Sequence, residues 1–178
     1  LAGLRMRKPN APRWLSEAET VGAREEVIIP YTHGGSVLDV GVVDSRRAEE
    51  STRHRLERFE ASSLHAAIRR ANPDVVGVDI DAEGVEILRE RGYNVVCADV
   101  ETMDLGRQFD LIVAGEVIEH LPNPGRALLS FGRHLTGSGR LILTTCNPFY
   151  LVQFEKILKY NDIQVHEEHT AWFDPRTL

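Results

Sequence analysis

A doubly wound α/β domain on a parallel sheet is what this chain of 178 residues predicts. Three observations carry that prediction. Short β-branched runs, Ser36-Val37-Leu38-Asp39-Val40-Gly41 and Val75-Val76-Gly77-Val78-Asp79, flank a helix-forming stretch, as expected of a β-α-β unit whose strands are buried on both faces. Similar runs recur at 94–98, 110–114 and 140–145 with helical patterns between them, so strands and helices alternate along the chain. Finally, Asp39, Gly41, Asp79 and Asp99 fall at or just beyond strand ends, where an open α/β sheet leaves its ligand crevice.

Composition narrows the field. At 42% hydrophobic and 27% charged, the chain reads as one ordinary globular domain with a proper core. A net charge of -6 argues against a broad nucleic-acid surface, which needs clustered Lys and Arg. Cys97 and Cys146 stand apart, with no spacing suited to a zinc ribbon or a disulfide framework, which points to a reducing compartment, the cytoplasm. Neither a membrane-length apolar run nor a signal-peptide core is visible, and Leu1 in place of a start Met points to a trimmed chain.

Residues 1–15 carry Arg5, Arg7, Lys8 and Arg13 with no acid, interrupted by Pro9 and Pro12: a solvated basic arm, or one that contacts an anion or partner through Trp14. The domain proper is expected over 16–178. A helix from Ser16 to Ile29 ends at Pro30 and Gly34-Gly35 before the first strand. The stretch from Arg46 to Glu60 is a mixed-charge insertion. It reads as a solvated helix with Leu56 and Phe59 tucked down, or as a lid that brings Arg46, Arg47 and Arg53 over an anion. A helix follows at 62–71, and Asp81 caps another that runs to Arg91 and stops at Gly92. Asn123-Pro124 starts a helix to Leu135, Gly137 to Gly139 turns the chain into the fifth strand, and Phe149 to Lys159 is an amphipathic helix expected to bury Phe154, Ile157 and Leu158. Residues 166–173 read as a loop, after which Asp174-Pro175 opens a further helix.

The succession Val-Leu-Asp-Val-Gly, Gly-Val-Asp-Ile-Asp, Ala98-Asp99, Phe109-Asp110-Leu111-Ile112-Val113 and Gly115-Glu116-Val117-Ile118-Glu119-His120-Leu121 resembles the class I S-adenosylmethionine (SAM) dependent methyltransferases over roughly residues 36 to 178. Its Glu-x-x-Glu-His stretch is similar to that of the ubiquinone-biosynthesis O-methyltransferases and of the small-RNA 3′-end 2′-O-methyltransferases. That resemblance implies a Rossmann-like sheet of order 3-2-1-4-5, with two C-terminal strands of the family fold missing from this chain. It places Asp39 and Gly41 at the methionine end of the cofactor, Asp79 on its ribose, Ile80 against the adenine, and Asp99 with Val100 at the adenine edge, and it counts Glu116 among the cofactor contacts. One departure stands out: the family's G-x-G-x-G turn is here Gly41-Val42-Val43-Asp44-Ser45, with only the first glycine kept.

Glu116, Glu119 and His120 would share a face if their segment were helical, since they fall at i, i+3 and i+4. Such ligands suit Mg²⁺, Mn²⁺ or Zn²⁺, and the resemblance completes a metal set of Glu116, Glu119, His120 and His169, with His166 less well placed. A hydroxyl nucleophile needs its proton removed or its oxygen polarised, so Glu116 and His120 are the candidate catalytic groups. Asn147 and Tyr150, at the same sheet edge, are candidate acceptor contacts. The expected function is SAM-dependent O-methylation of a small molecule or a glycan sugar. Rival readings are a metal-dependent RNA 2′-O-methyltransferase, a non-catalytic binding module, and a nicotinamide oxidoreductase. The last lacks both G-x-G-x-x-G and a Tyr-x-x-x-Lys pair.

Overall fold

A five-stranded, all-parallel sheet of order β3-β2-β1-β4-β5 forms the centre of the molecule. The computed structural model describes residues 23–43, 56–147, 150–161, 166 and 168–174. The basic arm, the insertion arginines 46, 47 and 53, the start of the helix expected from Ser16, and Pro175 lie outside the described residues.

The strands are β1 (Val37–Val40), β2 (Val76–Asp79), β3 (Val95–Cys97), β4 (Phe109–Gly115) and β5 (Leu135–Thr144). In β1 and β2 every residue is buried, as a parallel sheet covered on both faces requires. Alternation sorts the side chains between two layers. Leu38, Val40, Ile112 and Ala114 pack with Ala127 and Phe131 of helix α5 (Pro124–His134). Val37, Leu111 and Val113 pack on the opposite face with Ile28 of α1 (Arg24–Ile28) and with Leu64 and Ile68 of α3 (Leu64–Ala71). A third cluster brings Leu56 and Phe59, 1% and 4% exposed, against Val42, Val43, Val85 and Leu88, so these two insertion residues are tucked down as their apolar character requires.

Local chemistry sets the helix starts. The helix expected at 62–71 is broken at Ser63, which is extended and caps α3 by accepting from Ala66 N; the short α2 (Phe59–Ser62) precedes it. Asp81 accepts from Gly84 N to cap α4 (Ala82–Glu90), and Gly92 at φ +79° lets the chain turn out of it. Asn123 caps α5 with Pro124 in its first turn.

Two expectations need correction. Pairing of β5 with β4 begins at Leu135, which faces Phe109, and resumes at Arg140 opposite Leu111, so the Gly137–Gly139 turn is an irregularity within the strand's span. Helix α6 (Leu151–Tyr160) forms, but Phe154 and Leu158 are 49% and 87% exposed, and Gln153 is the residue it buries. Ile157, the third apolar residue of that face, is half-buried, so the face is only partly covered among the described residues. Among the described residues, no helix is long and apolar enough to cross a membrane.

Candidate active site

The carboxyl ends of β1, β2 and β4 open into a cleft of about 1020 Å³, lined among others by Asp39, Gly41, Asp79, Ile80, Glu116, Glu119, His120 and His169. Its position follows from topology: β1 and β4 are neighbours whose connections leave to opposite faces, which makes a switch point between them.

Asp79 organises the β2 side. Its Oδ2 accepts from Val43 N at 2.7 Å and its Oδ1 from Asp81 N at 2.9 Å. A single carboxylate thus holds the turn after β1, where two of the expected glycines are absent. Burial pushes its carboxyl above the ordinary value of 3.8, against the lowering pull of those N-H groups. Each oxygen keeps a further lone pair for a ligand hydroxyl, so the residue fits the ribose of an adenosyl group. Ile80, next along, is 72% exposed and offers an apolar surface at the cleft for a flat ring.

Gly41 has φ +75°, and a Cβ there would lie 2.4 Å from Val117 Cγ2. Only glycine fits that backbone and that gap. Val43 Cγ1 similarly lies 2.6 Å from where a Cβ on Gly84 would stand, so the replacement turn is packed by valine where the family pattern has backbone alone.

Asp39 points to the α3 face of the sheet, because it alternates with Leu38 and Val40. There its Oδ2 stands 3.0 Å from His65 Nδ1, with the two side chains 4% and 1% exposed. Phe59 and Tyr93 enclose the imidazole, at ring-centroid distances of 6.3 and 5.5 Å.

Asp99 and Val100 do not join this cleft. Asp99 is exposed and its Oδ1 accepts from Glu101 N, forming a turn after β3, while Val100 is buried in the core. Asp39 and Asp79 therefore converge, and the third strand-end acid lies outside the hollow they share.

Across the cleft, the expected helical face of Glu116, Glu119 and His120 is not formed. Glu116 takes φ +57°, a costly region for a non-glycine residue, and its N-H donates to Thr144 O. The following turn, Ile118–His120, is a short 3₁₀ segment. Glu119 is buried; its Oε1 accepts from Cys146 N at 3.2 Å, and its Oε2 has no hydrogen-bond partner among the described residues. His120 packs edge-on against His169 at 4.6 Å and against His166 at 5.6 Å. Two sets of ligand atoms lie within 4.8 Å of one another: His120, His166 and His169, and Glu119, Cys146 and His169. His169 shares one set with His120 and the other with Glu119, neither set holds Glu119 and His120 together, and Glu116 belongs to neither. A buried carboxylate oxygen without a partner, among imidazole and thiol groups, is a donor set that fits a divalent ion. Burial and the neighbouring His120 hold the His169 imidazole below its usual 6.5.

Three residues in or beside the cleft were given no role from the sequence. Cys146 lies two residues beyond β5, near the strand end where ligands of an open α/β sheet gather. His65 stood out only as part of a Leu64-His65 pair. Arg24 is the one arginine lining the cleft among the described residues, with Nη1 3.4 Å from where a Cβ on Gly115 would stand; nothing in its local sequence marks it.

Comparisons with known proteins identify the family and the fold. A family model described as a methyltransferase domain matches residues 33–178. The chain belongs to that family. This methyltransferase domain is 32% identical over 113 residues to a ribosomal protein L11 methyltransferase of Laribacter hongkongensis, covering 61% of the chain and 33% of the relative. It is 31% identical over 119 residues to a ubiquinone biosynthesis O-methyltransferase of a Bradyrhizobium species, covering 60% of the chain and 47% of the relative. The methyltransferase domain therefore spans a third to a half of the length of these curated relatives. Among solved structures, a SAM-dependent methyltransferase of Thermotoga maritima, described as a possible histamine N-methyltransferase, superposes with a TM-score of 0.60 at 19% identity, covering 86% of this chain and 64% of that one. That likeness is one of fold, and its sheet architecture is the one described above.

Proposed function

We propose that this chain is a SAM-dependent methyltransferase acting on a hydroxyl group of a small molecule or sugar. The observation that carries the reading is the two-sided cleft: Asp79 and Ile80 on the β2 side suit an adenosyl group, and a group of imidazoles with a buried carboxylate faces them from the β4 and β5 side. Bound SAM would supply an electrophilic methyl on sulfonium, open to in-line displacement.

The chain's own residues would do the rest. Asp79 accepts ribose hydroxyls while it holds the Val43 turn, and Ile80 covers the adenine. Arg24 provides a cation for the carboxylate of the methionine end, beside Gly41 and Asp39. Asp99 and Val100, expected at the adenine edge, would serve only a ligand reaching past the cleft rim. His120, with the neutral imidazole of His169 beside it, is placed to take the proton of an acceptor hydroxyl as its oxygen attacks, and Glu116 lines the same wall. In the alternative to His120 acting as base, a divalent ion held from this wall would polarise the hydroxyl, with His169 and either His120 or Glu119 among its candidate ligands. Asn147, exposed after β5, and Tyr150, 43% exposed before α6, would contact the acceptor. The name of the Bradyrhizobium relative, an O-methyltransferase, supports the same acceptor chemistry.

The test is transfer from methyl-labelled SAM to matched panels of phenols, sugars and amines. Label in hydroxyl acceptors, lost in His120→Ala, is expected; label confined to amines would refute the O-methylation reading.

A further inference from the structure

We propose that Glu119, Cys146 and His169 form a zinc-type metal site on the β5 side of the cleft, with the Cys146 thiolate as the ligand that selects a borderline-soft ion over Mg²⁺. Tetrahedral zinc ligands at their usual bond lengths stand about 3.6 Å apart. Cys146 Sγ and His169 Nδ1 are already 3.9 Å apart, and all three ligand atoms lie within 4.8 Å of one another. Small side-chain adjustments close that gap.

An independent observation points to a ligand in the same place. Glu119 is 1% exposed and its Oε2 has no hydrogen-bond partner among the described residues, although Oε1 is fixed by Cys146 N. A carboxylate oxygen left unmet in the interior is destabilising, and a cation is the partner that would satisfy it. The backbone also holds the three ligands in register. Glu119 O accepts from Thr170 N at 2.8 Å and from Ala171 N at 3.3 Å, which ties the residue after His169 to the carboxylate's own main chain. Thr170 Oγ1 adds a bond to Leu121 O at 2.7 Å.

The competing set, His120, His166 and His169, has no orphaned buried polar atom among the described residues; its half-buried rings pack against one another. The thiol set also differs from the Glu116, Glu119, His120 and His169 set that the sequence suggested, because a soft donor replaces a carboxylate. Three protein ligands leave the fourth position open to water or to an acceptor oxygen. That catalytic use rests on the cleft being the methyl-acceptor site; ion binding itself does not.

Cobalt(II) titration of the metal-free chain, paired with calorimetric binding of S-adenosylhomocysteine (SAH) without metal, tests the site. One equivalent of Co²⁺ should bind with a thiolate-to-metal charge-transfer absorption, and excess Zn²⁺ but not excess Mg²⁺ should remove it. Cys146→Ser should lose the absorption and weaken Zn²⁺ binding at least tenfold while still binding SAH; His166→Ala should keep the absorption. The sequence holds only one other cysteine, so retention of the band in Cys97→Ser assigns the thiolate even if the Cys146 variant misfolds. Absence of the band from a chain that binds SAH, its survival in Cys146→Ser, or its loss in His166→Ala would overturn the site and leave the methyltransferase reading intact. Absence of both the band and SAH binding would overturn both.

Discussion

Asp79→Ala is the sharpest perturbation of the cleft, because one carboxylate has two duties. It accepts from Val43 N and from Asp81 N, and through the first it holds a turn that has valines where backbone glycines are expected. Hydrogen bonds to a charged group contribute about 1.5–3 kcal/mol each. Two of them would give about 3–6 kcal/mol, from which the cost of burying the carboxylate must be taken; burial is the dominant influence on its titration, and it acts against the charged form. A net loss of about 2–4 kcal/mol is expected, which for a domain of this size is a fall in Tm of roughly 5–15 °C. Asp79→Asn keeps one acceptor and should lose about half as much. SAH affinity should fall at least tenfold beyond any effect of stability, since the ribose loses its acceptor as well. The assay is calorimetric melting with and without SAH. A variant that melts with the parent and gains the same shift from SAH would refute the dual role of Asp79.

Other expectations follow from the same geometry. Gly41→Ala forces a Cβ onto Val117 at positive φ, so SAH binding should be lost and the apo chain destabilised by about 1–3 kcal/mol; Gly41→Ala combined with Val117→Ala should recover only the steric part in a denaturant titration. Because the Asp79 carboxyl is raised in the folded state, it takes up a proton before an unfolded Asp would as pH falls, and SAH affinity should decline while the pH is still above 3.8; unchanged affinity down to that pH would count against it. Asp110 is the opposite case: Ser36 N-H, the Ser36 hydroxyl and the Thr136 hydroxyl hold its carboxyl below 3.8, so its contribution is present above that pH and lost on further acidification. Asp110→Asn should therefore flatten the acid limb of the stability curve. His65→Ala removes the buried partner of Asp39 and should weaken SAH binding, whereas His65→Asn, which keeps a donor, should restore part of it in the same calorimetric titration.

The sheet was legible in the sequence because its strands are buried on both faces, and a doubly buried strand writes itself as an unbroken apolar run rich in β-branched residues, such as Leu111-Ile112-Val113. Caps were legible for a similar local reason: Asp81 and Asn123 need only their own next turn to act. Within the candidate site, Asp39, Gly41 and Asp79 followed from the rule that ligands meet the carboxyl ends of parallel strands, and Ile80 from the family resemblance. Long-range packing, and in one case a local turn, accounts for the differences. The helical spacing of Glu116, Glu119 and His120 is broken because Glu116 N-H is committed to Thr144 across the sheet, and periodicity says nothing of that bond. Asp99 is drawn into a local turn by Glu101 N, a competition that a strand-end acid always faces. Cys146 meets Glu119 and His169 only because the residues after β5 and residues 168–171 both close on the Ile118–His120 turn, a meeting of three segments with no common spacing. The exposed Phe154 and Leu158 show the limit of amphipathic patterning, which identifies a face but not its cover.

A crystal structure of the chain with SAH tests most directly whether the strand-end cleft seats a nucleoside. The expected result is ribose hydroxyls within hydrogen-bond distance of the Asp79 carboxylate, adenine against Ile80, and the amino-acid end beside Gly41 and Arg24. SAH bound elsewhere, or a cleft that remains closed over Gly41 by Val117 at saturating ligand, would contradict it.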